Sequence, residues 1–127
     1  MSDEAQQSAA VARILDRTAA RAFKLPTQEV IPVFDQAEAD CLKLDSSEEM
    51  KLESKRRVAE WKMKIFCDRD GPFEIVEGLR NRLDELGHST LENEANNRVY
   101  FASYCIRVNK LDLARSDLLC LCSKLEE

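Results

Sequence analysis

The side chains best suited to acid–base, nucleophilic or metal chemistry in this sequence are one histidine and five cysteines. His88 lies between Gly87 and Ser89, a turn setting in which an imidazole is ordinarily an exposed polar group. No second histidine is present to complete a relay or a ligand pair. Cys41, Cys67, Cys105, Cys120 and Cys122 contain no CxxC, and on a helix Cys120 and Cys122 project about 200° apart, too far to share one ion without unwinding. Asp68-Arg69-Asp70-Gly71 faintly resembles a calcium loop, but the first ligand position falls on Phe66 and Pro72 follows the glycine. A glycine-rich phosphate loop is absent. The residues therefore argue against an enzyme, and neither a metal nor a cofactor is expected.

Two helix faces carry binding chemistry instead. Lys51, Lys55, Arg56, Arg57, Lys62 and Lys64 cluster in one segment, as phosphate contacts would require. Glu53 and Glu60 interrupt the cluster at spacings that pair with Arg57 and Lys64 within one helix. The second face gathers Asn93, Asn96, Asn97, Tyr100, Ser103, Tyr104 and Arg107. Tyr and Arg combine large contact area with hydrogen bonding, and interfaces favour both. Asn97, Tyr100, Tyr104 and Arg107 are the candidate partner-binding residues, although both tyrosines would serve equally as packing residues against a neighbouring helix.

These faces need a scaffold, and the composition specifies its class. The 127 residues suit one domain, with 44% apolar and 34% charged side chains. Three glycines and three prolines are too few and too scattered for the turns of an all-β protein. No segment has the ~18 uncharged apolar residues of a membrane span, and Met-Ser-Asp-Glu does not begin a secretion signal. An odd number of cysteines, three of them on apolar helix stripes, fits a reducing compartment, and a cytoplasmic location is expected. The formal charge of −5 disfavours nucleic acid as the general partner, although residues 51–69 carry seven basic and three acidic groups between more acidic flanks.

Periodicity and punctuation predict six helices. The first runs from about Ala5 to Lys24, with Val11, Ile14, Leu15, Thr18, Ala22 and Leu25 on one stripe, Arg13, Arg17 and Arg21 opposite, and Pro26 as its stop. The second has Thr27 as an N-cap and Val30, Phe34, Ala37, Cys41 and Leu44 inward; Pro32 leaves its start at Gln28 or at Pro32. Ser46 and Glu49 form a capping box for the third, which extends to about Asp68. Leu52, Ala59, Met63 and Phe66 fall on one side of that helix, and Met50, Val58, Trp61 and Ile65 on the other, so neighbours are expected on both. Asp70-Gly71-Pro72 reverses the chain, the glycine supplying freedom in φ.

The fourth helix carries Phe73, Val76, Leu79, Leu83 and Leu86 and ends at Gly87 in a left-handed cap. Its interior Gly78 implies a close helix–helix approach. Ser89 and Glu92 form a second capping box for the fifth helix, whose apolar arc is Leu91, Ala95, Val99, Ala102, Cys105 and Ile106. The sixth holds Leu111, Ala114, Leu118, Leu121 and Leu125 inward, widened by Leu119 and Cys122. Short links pair these helices as three antiparallel hairpins, either stacked or closed as a bundle.

Residues 95–127 favour the stack and leave the closed bundle as the alternative. Phe101-Ala102, Cys105, the Asn109 turn, Leu111, Ala114, Leu118 and Leu121 resemble a tetratricopeptide repeat in order and spacing. Cys105 stands where that family has tyrosine, Asn109 where it has the turn glycine, and no proline closes the repeat. The resemblance implies an all-α, right-handed stack of hairpins. It also implies that the first helix of each hairpin lines a groove for a partner helix or extended segment. A non-enzymatic adaptor or chaperone-like module is the function expected, with homo-oligomers compatible. The alternatives are a nucleic-acid-contacting regulator using Lys55, Arg56, Arg57, Lys62 and Lys64, and an immunity or inhibitor protein with an acidic surface.

Overall fold

The computed structural model describes residues 3–44 and 47–126. It is all-helical: α1 (Asp3–Ala22), α2 (Thr27–Leu42), α3 (Glu48–Asp68), α4 (Phe73–Leu86), α5 (Leu91–Arg107) and α6 (Leu111–Leu125), with no strand among the described residues. Two compact units divide within α3, residues 1–62 and residues 63–127.

In the first unit α1 and α2 pack as an antiparallel hairpin. Val11, Leu15, Ala19 and Ala22 of α1 and Val30, Phe34, Ala37 and Cys41 of α2 are buried, while Arg13, Arg17 and Arg21 are exposed, as the apolar stripes require. Phe23 packs edge-to-face on Trp61 at 6.0 Å between ring centroids, a geometry that sets a positive ring edge on a negative face. α2 begins at Thr27 with Pro26, not Thr27, in the cap position and with no side-chain cap; Pro32 is exposed inside it. Ser46 lies outside the described residues, and the Oγ of Ser47 accepts the Met50 amide at 3.1 Å.

α3 has the two-sided burial its pattern demands. Ala59, Met63 and Phe66 are buried on one side and Val58 and Ile65 on the other, and no residue from Met50 to Cys67 is exposed. Its end departs from expectation. Asp70, not Gly71, takes the positive φ of 50°. The Gly71 amide donates to the Phe66 carbonyl at 2.8 Å and the Asp70 amide to that of Cys67 at 3.2 Å, the paired bonds of a Schellman turn. Gly71 is required for room instead, because a Cβ there would lie 2.5 Å from Phe66 Cδ1.

In the second unit α4 packs on α5 and α5 pairs with α6 as a hairpin. α5 ends in the same Schellman pattern: Asn109 sits at φ 63°, with Lys110 N to Cys105 O at 2.6 Å and Asn109 N to Ile106 O at 3.2 Å. Asparagine tolerates this conformation better than most residues, which is why the turn survives without glycine. Gly87 has φ 78° and ψ 148°, a region open in practice to glycine alone and distinct from the left-handed helical cap expected there. Thr90, not Ser89, caps α5, accepting the Asn93 amide at 3.0 Å. Gly78 has nothing within 4 Å of where its Cβ would stand, so no close helix approach explains it.

The inward face of α5 is turned by roughly a quarter of a revolution from the apolar arc. Glu94, Asn97, Arg98, Phe101, Ala102, Tyr104 and Cys105 are buried, whereas Val99 and Ile106 are about half exposed. α6 is turned likewise: Ala114, Asp117 and Leu121 point inward, and Leu111, Leu118, Leu119 and Leu125 are exposed.

Candidate functional site

The rotation of α5 and α6 has an electrostatic cause that hydropathy does not register. Asp117, 3% exposed at its side chain, accepts from Arg80 Nε at 3.2 Å, from Arg80 Nη2 and from Arg98 Nη1 at 3.3 Å. Arg98 also donates to Glu94 at 2.9 Å and to Asp84 at 3.4 Å; Arg80 reaches Asp84 at 2.9 Å, and Lys124 closes on Glu94. Three cations thus meet three carboxylates across α4, α5 and α6. Burial alone would raise the Glu94 carboxyl, but hydrogen bonds from Lys124 and Arg98 outweigh it and hold the pKa below its ordinary value. No buried side-chain nitrogen or oxygen among the described residues lacks a partner. With every charge matched, this cluster reads as internal structure.

The four residues singled out on α5 separate accordingly. Tyr104 is fully buried and its hydroxyl donates to the Gly71 carbonyl at 2.6 Å. Asn97 is buried, with its amide 3.2 Å from His88 Nδ1, while His88 Nε2 lies 3.2 Å from Asp84. Arg107 is exposed but tethered, donating from Nε to Asp70 at 2.7 Å and from Nη2 to the Cys67 carbonyl. Tyr104 thereby supplies a donor to the Gly71 carbonyl just beyond α3, and Arg107 adds a second donor to the Cys67 carbonyl, which already accepts the Asp70 amide. Tyr100 is half-buried, its ring 5.4 Å from the Lys64 ammonium.

Tyr100 and Arg107 nevertheless come together, along one side of an open groove of about 270 Å³. Its lining falls in two rows along α5. Ala95 and Val99 form an apolar row, continued by the hydroxyl of Ser103; Asn96, Tyr100 and Arg107 form a polar one, and Asp68 stands at the end of α3. Asn96 and Ser103 belong to the polar face legible in the sequence, whereas Ala95 and Val99 were expected inside. The apolar row offers contact area and the polar row offers hydrogen bonds, the division found at protein interfaces. Comparison with protein-family models, with curated proteins and with solved structures gives no match.

The basic segment is arranged differently. Lys62 pairs with Asp35, Arg56 with Glu53 and Lys51 with Glu48, and Lys55 and Arg57 are half-buried. A phosphate backbone needs exposed, clustered cations, and this helix presents them poorly. Burial pushes the Cys67 thiol up to about 12 and the Cys105 thiol to about 11, which makes both poor nucleophiles. Among the described residues no three His, Cys, Asp or Glu side chains are grouped to hold a metal ion, and no helix is long and apolar enough to cross a membrane.

Proposed function

We propose that this protein is a non-enzymatic protein–protein interaction module, adaptor or chaperone-like, that receives a partner helix or extended segment in the groove on α5. The observation that carries the reading is the pairing of an apolar row, Ala95 and Val99, with a polar row, Asn96, Tyr100 and Arg107, along one accessible flank. A partner helix would set a small apolar side chain against Val99, take hydrogen bonds from Asn96 and Ser103, and place a cation near the exposed carboxylate of Asp68.

A tetratricopeptide-like hairpin for α5 and α6 belongs to the same proposal. It is supported by burial of Phe101, Ala102, Cys105, Ala114 and Leu121 at the repeat's packing positions and by the left-handed Asn109 at its turn. α5 is then the groove-lining first helix of its hairpin. Partner capture with Val99→Asp and Tyr100→Ala tests the proposal. Loss of the same bound proteins in both variants, with helical circular dichroism unchanged, is the expected outcome; retention by both rejects the groove. Tyr104 and Arg107 are unsuitable for this test, because replacing either also loosens the end of α3.

A further inference from the structure

The outward stripe of α1 carries positive charge that nothing within the molecule answers. Arg13, Arg17 and Arg21 recur at every fourth residue, Lys24 follows just beyond the helix, and all four are exposed. At 100° per residue they fall within an arc of about 80°. None of the four has an ion pair among the described residues, and Asp16, exposed at the edge of the stripe, bonds to none of them. Arg80, Arg98, Arg107 and Lys124, by contrast, each meet a carboxylate.

The shape of the stripe selects among anionic partners. Residues 1–44 carry seven acidic and five basic side chains, so the α1–α2 hairpin as a whole does not attract an anion. A nucleic-acid duplex or a lipid surface is broad enough to meet those acids together with the stripe, because charges interact over a screening length of roughly 8–10 Å. A single α-helix, about 10 Å across, meets the stripe alone. Its i, i+4 and i+8 positions also repeat with the same rise of about 6 Å as Arg13, Arg17 and Arg21. The i±4 rows of two helices lie parallel when their axes cross at about 50°, so three carboxylates at that spacing face the three guanidinium groups one to one. Arginine offers each carboxylate a two-pronged donor, and the exposed Ala9 and Ala20 on the same stripe leave room for the approach.

We infer that the Arg13–Arg17–Arg21 stripe of α1 is a docking surface for an acidic helix of another protein, one with Glu or Asp at every fourth position. Exposed pairs contribute modestly, so the contact belongs to the weak, transient class and is sensitive to salt. α1 lies in the first compact unit and the α5 groove in the second, so the inference does not rest on the proposed function.

Fluorescence anisotropy tests it with a labelled, stapled helical peptide bearing glutamate at i, i+4 and i+8, against a peptide of equal composition whose glutamates are spread around the helix. The protein should bind the first at least roughly fivefold more tightly, with affinity falling as ionic strength rises to about 0.15 M. Arg17→Glu should weaken binding by roughly tenfold with helical circular dichroism unchanged, and lysine in place of the central glutamate of the peptide should restore it. No binding at low salt, equal affinity for the two peptides, an Arg17→Glu protein that binds like the wild type, or a charge reversal that restores nothing overturns the assignment. So does tighter binding of a DNA duplex, or of vesicles rich in anionic phospholipid, than of the acidic helix.

Discussion

Removing the Asp117 carboxylate should be among the most damaging single changes available in this chain. Asp117→Ala leaves Arg98 and Arg80 facing a space that no longer accepts hydrogen bonds, and breaking one side of a buried ion pair ordinarily costs about 3–5 kcal/mol. The lower end applies. Arg98 keeps Glu94 at 2.9 Å and Asp84 at 3.4 Å, and the Arg80 side chain, 27% exposed, recovers some hydration. A loss of about 3 kcal/mol in a chain of this length lowers the melting temperature by roughly 10 °C, readily measured by helical circular dichroism at neutral pH. Leu119→Ala, at a side chain 57% exposed on the same helix, should change it by no more than a degree or two and serves as the control. Replacing both partners, as Arg98→Met with Asp117→Leu, should recover part of the loss, because no uncompensated charge then remains between those two positions. A melting temperature for Asp117→Ala within about 3 °C of the wild type would refute the claim that this network fixes the rotation of α5 and α6.

Other consequences follow from single positions. Gly78→Ala should stabilise the protein by about 0.5–1 kcal/mol in urea titration, since the helix gains propensity and the added methyl meets nothing. Tyr104→Phe should lower stability by about 1 kcal/mol through loss of the bond to the Gly71 carbonyl, without altering which proteins are captured. Ellman's reagent should modify Cys122 rapidly in the native protein and reach Cys41, Cys67 and Cys105 only on unfolding; early reaction of Cys67 would contradict its burial. Glu94 contributes stability that is fully present above its ordinary value of 4.5 and is lost as pH falls through its depressed folded value. Glu94→Gln should therefore flatten the acid limb of the stability profile, and an unchanged limb would count against the Lys124 and Arg98 contacts.

The sequence was most informative where burial and hydropathy agree. The six helices, the α1 and α2 core and the two-sided burial of α3 follow from apolar spacing and from Pro26, Gly71 and Pro72 as punctuation. It was least informative for α5 and α6. There Asp117 shares a face with Ala114 and Leu121, and Glu94 and Arg98 are one turn apart on the inward side. A hydropathy reading assigns such residues to solvent, so it rotated both helices and placed Val99, Leu118 and Leu119 inside. The signal that could have corrected it was the pairing itself: Glu94 and Arg98 at i,i+4, and Asp117 interrupting an otherwise apolar stripe.

The same error split the candidate site. Tyr100 and Arg107 were found through their polar surroundings, and Ala95 and Val99 were missed because apolar residues on a helix are read as core. Cap positions were shifted by single residues. Neighbouring hydroxyls precede α3 (Ser46, Ser47) and α5 (Ser89, Thr90), and only the backbone decides which of them meets a free amide.

The α5 groove is the claim on which the functional account rests, and a photo-reactive amino acid in place of Ser103 probes it directly. Ser103 is exposed and lines the groove, so the substituted protein should fold normally. Irradiation should yield a discrete cross-linked product with a second protein, abolished by Val99→Asp and unaffected by Leu118→Glu. Absence of any product in the native source, or a product equally abundant when Val99 is replaced by aspartate, would contradict the account.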